Sequence, residues 1–135
     1  MTVWDDAWEI LSDRFRRIAS SLMNAHPTMT WSCGHSDNES FPFRAYASFS
    51  GSGRQETDVV ISVDVLRRDD GLQFSSDLAL EDGQILADGP SGVLQLTADT
   101  ARLRMRIEET ISQIADFILS SEAVIDREIR EVRFR

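Results

Sequence analysis

Residues Thr97–Arg135 read TADTARLRMRIEETISQIADFILSSEAVIDREIREVRFR. Leu103, Ile107, Ile111, Ile114, Ile118, Ile125, Ile129 and Val132 follow one another there at helical spacing, with Ser121 filling the remaining place on the stripe. Steps of three and four keep every member on one side of a helix, so the rest of the chain has to supply a surface that covers it.

The N-terminus supplies a second helix. Trp4, Trp8, Leu11, Phe15, Ile18 and Leu22 form a stripe of the same kind, Thr2 with Asp5 has the spacing of a capping box, and His26-Pro27 closes the run. Between the helices the period falls to two. Met29, Trp31 and Cys33 alternate with polar residues, as do Phe41 to Phe49, Val59 to Val65 and Leu72 to Leu80, with a shorter strand around Gln84 to Asp88 and a sixth near Val93 to Leu96. Gly51-Ser52-Gly53, Asp70-Gly71 and Asp82-Gly83 reverse the chain between them. The expected fold is a single α+β domain over residues 1–135. It is a two-layer sandwich in which an antiparallel meander of about five strands carries both helices on one face.

A continuous helix over Ala98 to Arg133 would be ~54 Å long, against roughly 35 to 40 Å for a compact domain of this size. Either the helix breaks near Ser120-Ser121, or its end projects onto a second copy. The apolar content of the end, Val124, Ile125, Ile129, Val132 and Phe134, favours projection and a homodimer, at about 1.5 to 3 kcal/mol for each large side chain left in water.

The hairpins predict a row of charge. With two-residue turns at Asp82-Gly83 and Asp70-Gly71, Leu80 faces Ile85, Asp77 faces Asp88, Val63 faces Leu78 and Asp64 faces Asp77. Pairing Val63 with Ala45 then sets Arg44 opposite Asp64. Arg44, Asp64, Asp77 and Asp88 run across the polar side of the sheet. Like charges in register destabilise a sheet, so the row reads as solvated surface, as a landing site for a basic protein, or as a hard-cation site; no particular metal is indicated.

Composition removes several other functions. All 14 Lys+Arg residues are Arg, which excludes Schiff-base chemistry and the usual phosphate-loop lysine. The formal charge of −9 opposes nucleic acid and anionic membrane. The single Cys33 forms no internal disulfide, and neither a signal peptide nor a membrane-length apolar run is present, so the expected location is cytoplasmic. Cys33, His35 and His26 lack zinc-ligand pairing, and Cys33 reads as a small core residue. Gly51-Ser52-Gly53-Arg54 joins two strands and does not open a helix, which leaves it a turn.

In size, charge and element types the chain resembles bacterial secretion chaperones that bind an effector segment as dimers, and is similar to bacterial toxin-immunity proteins. That resemblance implies a protein partner; separately, no cofactor is expected. The order of elements departs from the chaperone pattern, which has a helix within the run of strands, and no functional residues carry over. The expected function is non-catalytic binding of a basic protein. The alternative is a metal-dependent enzyme or small-ligand binder, using the acidic row or a pocket under the helices lined by Trp4, Trp8, Trp31 and the phenylalanines.

Overall fold

The computed structural model describes residues 2–51 and 58–133, the side chains of 131–133 excepted. The order of elements is α1 (Val3–Ala25), β1 (Thr30–Ser36), β2 (Phe43–Ser50), β3 (Val59–Arg67), β4 (Gly71–Leu80), β5 (Ile85–Asp88), β6 (Gly92–Gln95), α2 (Thr100–Ser120) and α3 (Glu122–Arg133). All strand pairs are antiparallel, in the order β1-β2-β3-β4-β5, and β6 also pairs with β4. The meander and its helical cover are as the periodicities predict.

The two long helices, α1 and α2, each begin where a side chain accepts from a free amide group of the first turn. The Thr2 hydroxyl accepts from the Asp5 amide while Asp5 Oδ2 accepts from the Thr2 amide, and the Asp99 carboxylate accepts from the Arg102 amide. At its other end α1 stops at His26, before Pro27, which cannot donate to the helix. The two long helices run side by side in the same direction. Arg104, early in α2, reaches Asp6, early in α1, at 2.7 Å, and the Ser21 hydroxyl near the end of α1 donates to Glu122 at the start of α3 at 2.8 Å.

Alternation along the strands puts Ala45, Ala47, Phe49, Ile61, Val63, Val65, Phe74 and Leu78 on one face, all at most 4% exposed. The helices cover this face with Leu11, Phe15, Ile18, Ile111, Ile114 and Ile118. Trp4 stacks on Phe43 with ring centroids 5.8 Å apart, and Trp31 stacks on Phe49 at 6.2 Å. These aromatic side chains pack against one another and against the core.

The C-terminal helix breaks and does not project. At Ser121 the ladder loosens: the Ser120 and Ser121 hydroxyls both donate to the Phe117 carbonyl at 2.8 Å, and the Ser121 amide is shared between the Phe117 and Ile118 carbonyls. Hydroxyls that compete for helix carbonyls bend the axis. The helix resumes at once, with the Ile125 amide donating to the Ser121 carbonyl at 3.0 Å. The bend turns α3 onto the end of α1, where His26 Nε2 lies 2.7 Å from Asp126 Oδ1 and Arg130 braces the other carboxylate oxygen at 2.6 Å.

Ile125 is 0% and Ile129 5% exposed within this one chain. Expected to meet a second copy, both side chains are instead covered within the chain by the bend, and the helix does not overrun the domain. Val124 is half-buried against the same core. The Val132 side chain and Phe134 lie outside the described residues, as does all of the Gly51-Ser52-Gly53-Arg54 stretch after Gly51.

Two hairpins differ from the expected register. Arg68 and Gly71 exchange backbone hydrogen bonds, so the turn is Asp69-Asp70, one residue earlier than Asp70-Gly71. Gly71 serves a close approach instead of the turn, since a Cβ there would collide with the Leu94 carbonyl oxygen of β6. Asp64 consequently faces Ser75, Asp77 faces Ser62, and Val63 faces Ser76 in place of Leu78. In the next hairpin Leu80 bonds to Gln84 around Glu81-Asp82-Gly83, with Gly83 at φ 98°. This three-residue loop places Ile85 opposite Ala79 and not Leu80. A bulge then restores the expected pairs Leu78 with Ala87 and Asp77 with Asp88.

Truncation of Ile125 measures the internal docking of α3. Ile125→Ala is expected to cost about 2 to 4 kcal/mol in chemical denaturation, the range for deleting a buried isoleucine side chain. Leu119→Ala, at a position 39% exposed, is expected to cost less than half as much. Equal, small losses at both positions would mean that α3 is not docked in solution.

Candidate functional site

The helices cover one side of the sheet and leave the other open. The registers place Ser32, Gly34 and Ser36 of β1, Arg44, Tyr46, Ser48 and Ser50 of β2, Val60, Ser62 and Asp64 of β3, Ser75 and Asp77 of β4, and Asp88 of β5 on that open face. Small hydroxyl side chains dominate it, so the few large or charged groups stand above a low floor.

The pair Arg44–Asp64 forms as the sequence predicts, directly across β2 and β3, with Arg44 Nε donating to Asp64 Oδ1 at 2.8 Å. The guanidinium also lies 4.0 Å from the centroid of the Phe41 ring. Together with Ser36, Ala45, Tyr46 and Ser62 this pair lines a depression of about 260 Å³. Tyr46 forms its wall by lying across Gly34, where a Cβ would come within 2.9 Å of the ring. Only a residue without a side chain lets the ring settle there, and in return the ring covers the bare backbone of an edge strand. The sequence reading missed Tyr46. The available signal was a lone aromatic residue on a polar strand face together with a glycine inside the preceding strand.

Asp77 and Asp88 stand directly opposite each other. Asp64, expected opposite Asp77, is displaced two residues along β3, so that it is a diagonal neighbour on the same face. The row is thus staggered. Partial burial pushes the Asp77 carboxyl above its ordinary range, and the negative charges of Asp64 and Asp88 push it further the same way. At the other end of β3, Asp58 accepts hydrogen bonds from Ser48 and Ser50. Among the described strand residues of this face Arg44 is the only cation, and it is already paired with Asp64.

The stagger bears directly on metal binding. Among the described residues no group of three or more His, Cys, Asp or Glu is arranged to hold a metal ion. The sulfur and imidazole candidates are likewise dispersed. Cys33 faces the core half-buried, and burial raises its thiol pKa. His35 stacks on Trp8 at 4.3 Å, while His26 is held by Asp126 at the far end of α1. No thiol activated by a histidine results.

Compared with protein-family models, with curated proteins and with solved structures, the chain matches none. Among the described residues no helix is long and apolar enough to cross a membrane.

The raised Asp77 carboxyl has a stability consequence whose sign is fixed. A carboxyl with a folded pKa above the unfolded 3.8 favours the fold when protonated; that contribution is complete below 3.8 and disappears as pH rises through the folded value. Asp77→Asn is therefore expected to stabilise the protein at neutral pH by about 0.5 kcal/mol, a figure held small by solvent screening. The gain should vanish in acid, where both proteins are neutral at this position. Urea denaturation at the two pH values decides it, and a variant less stable than the parent at neutral pH contradicts this account.

Proposed function

We propose that this chain is a non-catalytic binding protein that receives a basic segment of a protein partner on the open face of its sheet, an immunity-like or chaperone-like role carried out in the cytoplasm. The observation that carries this reading is the staggered acidic row. Asp64, Asp77 and Asp88 share one face, partial burial and then their mutual repulsion raise the Asp77 carboxyl, and among the described strand residues of this face Arg44 is the only cation. A fold that keeps mutually repelling carboxylates gains when a cation arrives between them. An arginine or lysine side chain laid over the row would relieve that repulsion.

The depression beside the row supports the same use. Its floor is hydroxyl groups and its wall is the 45% exposed Tyr46 ring, a surface against which an extended segment can place one side chain and form hydrogen bonds. Nucleic acid and anionic membranes would meet the same negative face and be repelled. The metal-dependent alternative has less support, because the two-residue stagger separates the carboxylates that would have to converge on one ion.

Titration of isotopically labelled protein with an arginine-rich peptide tests the proposal. Amide shifts are expected at Arg44, Tyr46, Ser62, Asp64 and Asp77, weakening as salt is raised. Affinity should fall at least roughly tenfold in the triple variant Asp64→Asn/Asp77→Asn/Asp88→Asn. Shifts spread evenly over the surface, or binding that survives the triple variant, would reject the acidic face as the site.

A further inference from the structure

The two edges of the sheet are built differently. On one side β4 is flanked by β5 and β6, four residues each, separated by Gly89-Pro90-Ser91, with a bulge in the pairing at Leu78/Ala79. Short pieces, proline and a bulge all discourage another strand from adding there. On the other side β1 is seven residues long, keeps one unbroken register with β2 from Thr30 to Ser36, and contains no Asp, Glu, Arg, proline or bulge. No described strand pairs with its outer edge.

The core is also less complete at β1. Core-facing residues of β2 and β3 are at most 4% exposed, whereas Trp31 and Cys33, on the same side of β1, are only partly covered. His35, the next residue on that side, is exposed although Trp8 stacks on it. An apolar layer thus reaches the edge and ends there without a neighbouring strand among the described residues.

We propose that the outer edge of β1 pairs antiparallel with β1 of a second copy about a twofold axis at Cys33, joining two sheets into one. Charge selects this occupant. On a chain of net charge −9, most surfaces brought against their own copy would set carboxylate against carboxylate. Thr30–Ser36 contains no Asp or Glu, so it can lie beside itself without that cost, and it offers a basic partner no carboxylate. A twofold axis perpendicular to the sheet makes the added strand antiparallel, like every other pair in the fold. Centred on Cys33, it pairs all seven residues: Thr30 with Ser36, Trp31 with His35, Ser32 with Gly34 and Cys33 with Cys33. Aromatic rings meet on the core side and small residues on the open side. The helix layers of the two copies lie on the same side, and the acidic row of each copy stays uncovered.

Sedimentation over a range of concentrations is expected to give the mass of two chains. Thr30 and Ser36 are exposed, so their replacement leaves the monomer intact, which circular dichroism verifies. Thr30→Lys/Ser36→Lys sets lysine against lysine at both ends of the pairing and should weaken the dimer at least roughly tenfold. Thr30→Lys/Ser36→Glu sets lysine against glutamate and should restore it. A monomer at every concentration, a dimer indifferent to the lysine pair, or failure of the Lys/Glu variant to recover would each overturn the proposal. So would a wild-type monomer whose β1 amides gain exchange protection only when an arginine-rich peptide is added, since the edge would then belong to the partner.

Discussion

Everything in this fold depends on covering one apolar sheet face with two helices that meet it at opposite ends of the chain. A straight C-terminal helix would cover the face and then run off the domain with Ile125 and Ile129 bare. The bend at Ser121 removes that conflict for the cost of a loosened turn, whose amide and hydroxyl groups still find the Phe117 and Ile118 carbonyls. Two isoleucines are thereby buried, a gain of about 1.5 to 3 kcal/mol each, and α3 acquires polar anchors in His26 and Ser21. The bend thus depends on the core, and the closed end of the core depends on the bend.

Period carried most of what the sequence could convey. Alternation of two along Phe43 to Phe49 and Val59 to Val65, and steps of three and four along α1 and α2, are imposed by which side of an element faces water, so elements and faces were legible. Register was legible only in part. A slip of two residues, such as the one between β3 and β4, keeps every side chain on its face, and hydrophobic pattern does not distinguish the alternatives. The shift traces to Gly71, read as a turn residue but needed where the Leu94 backbone passes. Likewise Gly83 was correctly placed in a turn, but the turn has three residues and not two. The choice between bend and projection was a matter of tertiary packing, and Ser121 on the stripe hinted at its location only.

The candidate site shows the same division. Arg44 opposite Asp64 followed from alternation and the correct pairing of Val63 with Ala45, whereas Asp77 stands opposite Asp88 because a bulge at Leu78/Ala79 offsets the third loop residue that the two-residue turn left out. The stagger of Asp64 depended on the unseen shift, and it matters chemically, because it converts a line of carboxylates into a spread of negative potential. Tyr46 escaped notice because its position is explained by Gly34 on a different strand. A sheet floored with serines keeps such features accessible: Ser48 and Ser50 bond to Asp58 at the far end of β3, and short side chains do not stand in front of Asp64, Asp77 and Asp88.

The parallel arrangement of α1 with α2 and α3 has a consequence for the order in which the molecule can form. The polar contacts of that seam, Asp6 to Arg104, Ser21 to Glu122 and His26 to Asp126, link residues 98, 101 and 100 positions apart. Contacts of such long range form only after the intervening chain is organised, at a substantial cost in loop closure. The hairpins can assemble locally, but the apolar face they create has only α1 to shield it until the last helix arrives. That face stays half-dressed until α2 and α3, which follow every strand in chain order, have been made and docked.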